Sequence, residues 1–294
     1  MSHKAGFVNI IGRPNVGKST LMNVLVGESL SIVTSKAQTT RHRILGIVNS
    51  EDYQIVYSDT PGILFKPQYE LHEAMMGAVR SAFEDADVLL FITEIYEQPE
   101  EMADILGMVN KLDMPKLLLI NKIDQAKEGQ LEQLTEKWQQ LSVFQNIIPI
   151  SALQHLNISQ VTDTILSLLP EHPAYYDKEQ LTDRNERFFV TEIIREKILL
   201  NYRKEVPYST EVVIDSFKED EHIDRIRAII FVERQTQKSI LIGKNGEALK
   251  KVGIEARAAI EALVGKQVYL ELHVKVKEGW RNDSRFLKQT GYQE

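Results

Sequence analysis

Gly12-Arg13-Pro14-Asn15-Val16-Gly17-Lys18-Ser19 matches G-x-x-x-x-G-K-[ST], the spacing of a loop that wraps phosphate. Phe7-Val8-Asn9-Ile10-Ile11, apolar and β-prone, runs into it, and Thr20-Leu21-Met22-Asn23-Val24-Leu25-Val26 leaves it with apolar residues at helical spacing. Strand, glycine turn and helix form the context this motif requires. Gly12 and Gly17 let backbone N–H groups close around phosphate oxygens, where a Cβ would obstruct them. The helix turns the positive end of its dipole toward the same oxygens. Lys18 can reach the β- and γ-phosphates, and the Ser19 hydroxyl can ligate Mg²⁺. Asn15, Val16 and Thr20 complete the expected contact set on this loop.

Working outward, 294 residues at 43% hydrophobic content suffice for two domains with separate cores. No run of 18 or more apolar residues occurs, so no spanning helix is expected. Met1-Ser2-His3-Lys4-Ala5-Gly6 leads straight into the first strand, which predicts that no signal peptide precedes it. Cysteine is absent, which excludes disulfides and thiolate metal sites and suits a reducing cytosol. The net charge of −7 is uneven: residues 1–185 hold 15 Lys and Arg against 24 Asp and Glu, whereas Gln235 onward holds 11 against 7. A basic end after an acidic first part points to a polyanion partner there.

The first part alternates apolar runs with amphipathic stretches. Strands are predicted at 6–12, 44–49, 53–58, 87–93, 116–121 and 147–150, and helices at 17–26, 69–84, 99–112, 129–142 and 157–169. Val88-Leu89-Leu90-Phe91-Ile92 and Lys116-Leu117-Leu118-Leu119-Ile120 are almost continuously apolar. Such strands between helices indicate a mostly parallel sheet with helices on both faces, and ligands of these sheets sit at the strands' carboxyl ends. Leu169-Pro170-Glu171-His172-Pro173 ends the last helix. The expected division is a first domain over 1–172, a linker over 173–186 and a second domain over 187–294. The second domain reads helix 187–202, strands 210–216 and 225–233, short helix 237–242, helix 246–263, strand 267–276 and a last short helix from Trp280 to Lys288.

Three further stretches fall at strand ends. Asp59-Thr60-Pro61-Gly62 follows the strand Tyr53 to Ser58; Asp59 can hold Mg²⁺ and Gly62 can approach the γ-phosphate, though the same residues also make an ordinary turn. Asn121-Lys122-Ile123-Asp124 follows the strand Lys116 to Ile120. A carboxylate there can accept from both N1–H and the 2-amino group of guanine, a pair that adenine does not offer. The alternative for Asp124 is a helix N-cap. The Lys122 stem can cover the base, Asn121 can brace the loop, and Ser151-Ala152-Leu153 can present a backbone N–H to guanine O6.

In this order the motifs resemble those of the translation-factor-related GTPases. The resemblance implies an α/β P-loop GTPase domain that binds GTP and GDP with Mg²⁺, with catalytic roles for Lys18, Asp59, Gly62 and Thr40, and loops 29–43 and 60–68 that respond to the γ-phosphate. It requires a threonine on the metal; Thr39 and Thr40 are both candidates, Thr40 being preferred, which makes Ser19, Thr40 and Asp59 the metal set. Ras-like members place a Gln after D-x-x-G to orient the attacking water. Here Ile63 stands in that place and cannot hydrogen-bond, so slow intrinsic turnover is expected. Members resembling the tRNA-modifying and ribosome-assembly GTPases use an Asn at the Asn15 position to hold K⁺; a hydrogen bond inside the loop is the alternative.

Ile242-Gly243-Lys244-Asn245-Gly246-Glu247 carries G-x-x-G between two helices, in the order α-β-β-α-α-β. This resembles an α+β type II KH domain, whose loop clamps nucleic-acid backbone. Lys238, Ile242, Gly243, Lys244, Asn245, Gly246, Lys250 and Lys251 are the RNA-binding candidates. Ile240, Ile242 and Leu249 line the groove or belong to the core. Together with Lys36-Ala37-Gln38-Thr39-Thr40-Arg41-His42-Arg43, Glu205-Val206-Pro207-Tyr208-Ser209 and Trp280-Arg281, the two domains resemble the Era family of ribosome-assembly GTPases across nearly the whole chain. That resemblance implies binding near the 3′ end of 16S rRNA in the maturing 30S ribosomal subunit, a monomer, and a cytoplasmic location with peripheral contact at the inner face of the cell membrane. From the residues alone, a metabolic or regulatory GTPase with a protein-binding second domain, and a nucleotide-gated module with negligible turnover, stand beside it.

Overall fold

β1 (Lys4–Ile11) lies inside a six-stranded sheet and delivers the chain into the phosphate loop. In the computed structural model residues 3–64 and 66–292 are described; Met1 and Ser2 of the leader, Phe65 of the 60–68 loop, and Gln293 and Glu294 lie outside the described residues. The chain forms two compact units.

The first unit holds 3–31, 40–64 and 75–183 of the described residues, with Lys66. Its helices are α1 (Lys18–Val26), α2 (Glu70–Glu84, of which 75 onward belongs here), α3 (Ala103–Val109), α4 (Gln130–Gln140) and α5 (Ile158–Leu168). With β2 (Ile44–Asn49), β3 (Tyr53–Asp59), β4 (Val88–Glu94), β5 (Lys116–Asn121) and β6 (Asn146–Pro149), the strand order is β2-β3-β1-β4-β5-β6. Only the β2–β3 pairing is antiparallel. Val88 to Ile92 and Leu117 to Ile120 are fully buried at consecutive positions, so both faces of these strands are covered, as continuous apolar runs require. Parallel direction brings the ends of β1, β3, β5 and β6 to one edge, and the four motif loops leave from there.

The predicted helix over 99–112 starts as a 3₁₀ turn, Pro99–Met102, before α3. Proline with its fixed φ opens that turn and donates no backbone N–H within it. Residues 171–183 are held along the sheet. Gln54 Oε1 accepts from the Tyr175 and Tyr176 N–H groups at 2.7 and 3.0 Å, the Ile47 N–H donates to the Leu181 carbonyl at 2.8 Å, and Thr182 Oγ1 donates to the Leu45 carbonyl at 2.6 Å. The last two bonds cover the open edge of β2.

The second unit contains α6 (Glu186–Asn201), β7 (Thr210–Lys218), β8 (Ile223–Val232), α7 (Gln235–Ile242), α8 (Glu247–Val264), β9 (Gln267–Val276) and α9 (Ser284–Gln289). β8 pairs antiparallel with β7 and parallel with β9. Val190, Ile194 and Ile198 of α6, Val252, Ala256 and Ile260 of α8 and the inward residues of β8 share one core. Segments 32–39 and 67–74 group with this unit. In the latter, the Glu70 N–H donates to Asn282 Oδ1 at 3.1 Å and the Arg281 guanidinium lies 3.9 Å over the Tyr69 ring. The single helix expected from Trp280 to Lys288 is instead a 3₁₀ turn, Trp280–Asn282, followed by α9. Asp283 separates them because its side chain caps α9, accepting the Phe286 N–H at 3.0 Å with its own backbone extended.

Trp280 anchors this end of the chain: its ring is fully buried and its Nε1–H donates to the Ser209 carbonyl at 3.0 Å. Trp280→Ala should cost about 3–5 kcal/mol of unfolding free energy, the range for emptying a large aromatic site. Trp280→Phe should cost about 1–3 kcal/mol, chiefly from the lost hydrogen bond. Urea unfolding followed by circular dichroism separates the two; equal small losses would show that the ring is not packed this way.

Candidate functional site

Gly17 takes a left-handed conformation, φ 105°, and a Cβ there would collide with the Asn121 side-chain amide. α1 begins next to it with no side-chain cap, so its first N–H groups point out at the loop. Val16 is buried beneath the loop, and Thr20 lies in the first turn of α1. Lys18 is buried and folded back, its Nζ donating to the carbonyls of Arg13 at 2.9 Å and Gly12 at 3.3 Å. Burial lowers its pKa to about 8, against the opposing charges of Asp59 and Glu97. An ammonium held by carbonyls in a dry site gains a stronger partner when phosphate oxygens arrive.

Ser19 Oγ donates to Asp59 Oδ2 at 2.7 Å and lies 2.8 Å from Thr40 Oγ1, which is itself 3.3 Å from Asp59 Oδ2. Asp59 Oδ1 is buried and within hydrogen-bond distance of no donor among the described residues. Burial raises the Asp59 pKa, while the Ser19 hydroxyl and the Lys18 charge pull it down. Hydroxyl and carboxylate oxygens converging around an orphaned acceptor suit a hard cation such as Mg²⁺. Of the two threonine candidates, the structure brings Thr40 to this corner. Thr39 turns away, its Oγ1 donating to the Lys36 carbonyl at 2.7 Å. Thr60 sits beside the corner, but its hydroxyl is taken by the Ile10 carbonyl at 2.8 Å. Pro61 and Gly62 are buried at the same edge. The Ile63 side chain is buried and its N–H donates to the Gly12 carbonyl at 3.2 Å.

Asn121 ties three loops together. Its Nδ2 donates to the Val16 carbonyl at 2.7 Å, and its Oδ1 accepts the Ala152 N–H at 3.0 Å. Lys122, left-handed at φ 65°, donates to the Asn15 carbonyl at 2.9 Å and pairs with Glu94. Asp124 lies in a 3₁₀ turn, Ile123–Gln125, and α4 starts only at Gln130, so Asp124 does not cap that helix. Its Oδ1 accepts the Ser151 hydroxyl at 2.5 Å, which fixes the carboxylate while leaving it exposed. The Ala152 N–H is already engaged by Asn121. A contact from this loop to guanine O6 therefore falls to an amide beyond it or shares that bond. The Leu153 side chain is exposed.

Sequence reasoning missed a network at the outer side of the phosphate loop. Thr93 Oγ1 donates to Glu97 Oε2 at 2.8 Å, and Arg13 Nη1 lies 3.4 Å from Glu97 Oε1. Burial raises the Glu97 pKa, opposed by the Thr93 hydroxyl and Arg13. Arg13 occupies a free position of the motif, and its partner lies 84 residues away, so spacing gave no signal.

In the second unit, Gly243 joins α7 to a 3₁₀ turn, Lys244–Gly246, at φ 72°; a Cβ there would come within 2.6 Å of the Ala248 Cβ. Asn245 is left-handed at φ 53°, and Gly246 precedes α8, whose first turn has no side-chain cap. Lys244, Asn245, Lys250 and Lys251 are exposed and Lys238 is half-buried. Of the groove candidates, Ile240 is exposed, whereas Ile242 and Leu249 pack against the core. The loop thus offers backbone and cations to an extended polyanion.

Residues 7–122 match the family described as 50S ribosome-binding GTPase, and residues 205–281 match the KH domain family. The chain is 45% identical over 294 residues to GTPase Era of Staphylococcus epidermidis, covering 99% of this chain and 98% of that protein. It is 44% identical over 297 residues to GTPase Era of Alkaliphilus metalliredigens, with 100% of each covered. A crystal structure of Era in complex with MgGDPNP and nucleotides 1506–1542 of 16S ribosomal RNA matches with TM-score 0.94 at 37% identity, covering 99% of this chain and 100% of that one.

Asp124→Asn tests the base site. The carboxamide presents a donor where guanine also donates, and xanthine offers a carbonyl instead. GTP affinity should fall roughly 100-fold, the scale of a lost charged hydrogen-bond pair, while xanthosine triphosphate affinity rises. Titration with fluorescent nucleotides measures both; unchanged GTP affinity would remove Asp124 from the base site.

Proposed function

The chain belongs to the Era family of GTPases, and from that premise we propose that it is a nucleotide switch whose KH domain holds 16S rRNA near its 3′ end during assembly of the 30S subunit. The observation that carries this reading is the presence, in one chain, of a guanine-nucleotide site and a second, open phosphate-binding loop at Gly243–Gly246. The relative solved with MgGDPNP and 16S rRNA nucleotides supports the choice of RNA. The domains are read as 1–172, a linker 173–186 and 187–294.

In the nucleotide site Lys18 leaves the loop carbonyls for the β- and γ-phosphates and stabilises their charge. Loop amides from Gly12 to Thr20 receive phosphate oxygens, and Asp124 selects guanine. Ser19, Thr40 and Asp59 would hold Mg²⁺, which supplies charge neutralisation on the phosphates. The Ile63 side chain has no group to hydrogen-bond an attacking water, so the chemical step leans on electrostatic stabilisation. Asn15 is exposed at φ 66°, and its side chain makes no hydrogen bond with the described residues. That favours a cation ligand over an internal loop bond, and K⁺ is the cation we assign to it. On this reading it acts on the 30S subunit as a cytoplasmic monomer. Peripheral membrane contact rests on the family resemblance alone; no helix among the described residues is long and apolar enough to cross a membrane.

Two outcomes test this reading. Turnover should be higher in KCl than in NaCl at matched ionic strength, and Asn15→Ala should shrink the difference while GTP binding persists; identical parent rates in the two salts would discard K⁺. Lys244→Asp with Asn245→Asp should abolish single-stranded RNA binding, because carboxylates would face phosphate at two exposed positions. GTP affinity and circular dichroism should be unchanged. RNA anisotropy at fixed salt reads the effect, and retained affinity in the folded double variant would move RNA contact off this loop.

A further inference from the structure

Segment 32–39 groups with the second unit, and two side chains, Arg195 and Lys36, tie it to α6 and its C-cap through four hydrogen bonds. Arg195 and Glu192 form a buried bidentate ion pair, with Nε and Nη2 at 2.8 and 2.6 Å from the two carboxylate oxygens. The same guanidinium donates to the Thr39 carbonyl and, at 3.5 Å, to the Gln38 carbonyl. At the other end of the segment, Lys36 Nζ donates to the carbonyls of Leu199 and Tyr202, which end α6. Inside it, the Thr39 hydroxyl closes a turn on the Lys36 carbonyl, and Gln38 is held left-handed at φ 57°. Burying an ion pair is costly, and replacing one with apolar residues is often neutral or stabilising. A pair kept here and aimed at backbone carbonyls therefore suggests a positional role.

The carbonyl it grips belongs to the peptide Thr39–Thr40. The next side chain along is Thr40, whose Oγ1 lies 2.8 Å from Ser19 Oγ. We propose that Arg195, clasped by Glu192, with Lys36 as a second anchor, is a positioning residue for GTP hydrolysis: it fixes the Thr39 carbonyl so that Thr40 is presented at the cation corner. Neither residue belongs to the motifs assigned to the nucleotide. Their effect passes through the Thr39–Thr40 peptide, whose planarity transmits the orientation of one end to the other. The inference rests on the proposed reading of Thr40 as a ligand of the metal on the triphosphate, a contact that this reading gives to GTP and not to GDP.

The test compares Arg195→Gln, Lys36→Ala and Thr40→Ala in the full chain, measuring GTP and GDP affinity, kcat, KM and the Mg²⁺ concentration for half-maximal turnover. Both anchor variants should lower the GTP-to-GDP affinity ratio and kcat by on the order of tenfold and raise the Mg²⁺ requirement, within the range of coupling between sites. GDP affinity should not move. Thr40→Ala should act in the same direction and more strongly. If Thr40→Ala changes the ratio and the folded anchor variants do not, the positioning role is wrong and the metal reading stands. If Thr40→Ala leaves the ratio unchanged, the metal reading fails and this inference with it. Equal weakening of GTP and GDP with a lowered melting temperature would make the anchors merely structural. Should Arg195→Gln fail to fold, Lys36→Ala decides, since Lys36 is only half-buried and its loss strands no buried charge.

Discussion

One side-chain amide holds the nucleotide site in register. Asn121 donates to the glycine loop after β1 and accepts from the loop that follows β6, while its own strand end leads into the segment we assign to the base. A carboxamide is suited to this place because it is a donor and an acceptor in one rigid plane. An aspartate could not donate to the Val16 carbonyl, and a longer side chain would not fit against Gly17. The glycine at 17 therefore answers two demands, the left-handed turn before α1 and the room that Asn121 needs. The parallel sheet makes this possible by bringing β1, β5 and β6 to the same edge.

Around that brace the charges are arranged to need partners. Lys18 and Asp59 are both buried, and neither is satisfied by the other: Lys18 leans on carbonyls, and one Asp59 oxygen has no hydrogen bond among the described residues. Groups held this way gain most from a ligand that brings opposite charge to each, and a metal-bound phosphate chain does so. The apolar residue after D-x-x-G fits the same picture. Ile63 is buried and its N–H is spent on Gly12, so that position serves the wall of the loop.

What could be read in the chain and what could not divide along physical lines. Strands such as β4 and β5 were legible because burial on both faces leaves an unbroken apolar run. The candidate site could be outlined where its residues are contiguous, as at 12–19, 59–62 and 121–124, since a loop that must close tightly at a strand end constrains neighbours in sequence. Thr39 and Thr40 could not be separated by pattern, because adjacent residues differ only in which way the backbone turns them. Arg195 and Glu192, three apart on α6, look in sequence like an ordinary surface pair. Their burial is created by core packing and by segment 32–39, which is 156 residues away from Arg195 at Thr39. The break at Asp283 was hidden for a different reason: apolar spacing continues across it, and only the cap shows that the helix restarts.

The two phosphate-handling loops use the same backbone device for different ends. Each places a left-handed asparagine, Asn15 or Asn245, and a left-handed glycine, Gly17 or Gly246, ahead of a helix whose first turn no side chain caps. In the first, the lysine is buried, a buried carboxylate stands nearby and Asn121 closes the far side, so the site admits a compact group with its metal and senses its charge closely. In the second, the lysine is exposed, no buried acid among the described residues adjoins the loop, and the glycine turn lies open. Such a loop cannot distinguish one phosphate from the next along a strand, which is what holding a continuous backbone requires. On the function proposed above, burial of the lysine, more than the glycine pattern, separates a site for one terminal phosphate from a clamp that rides on many.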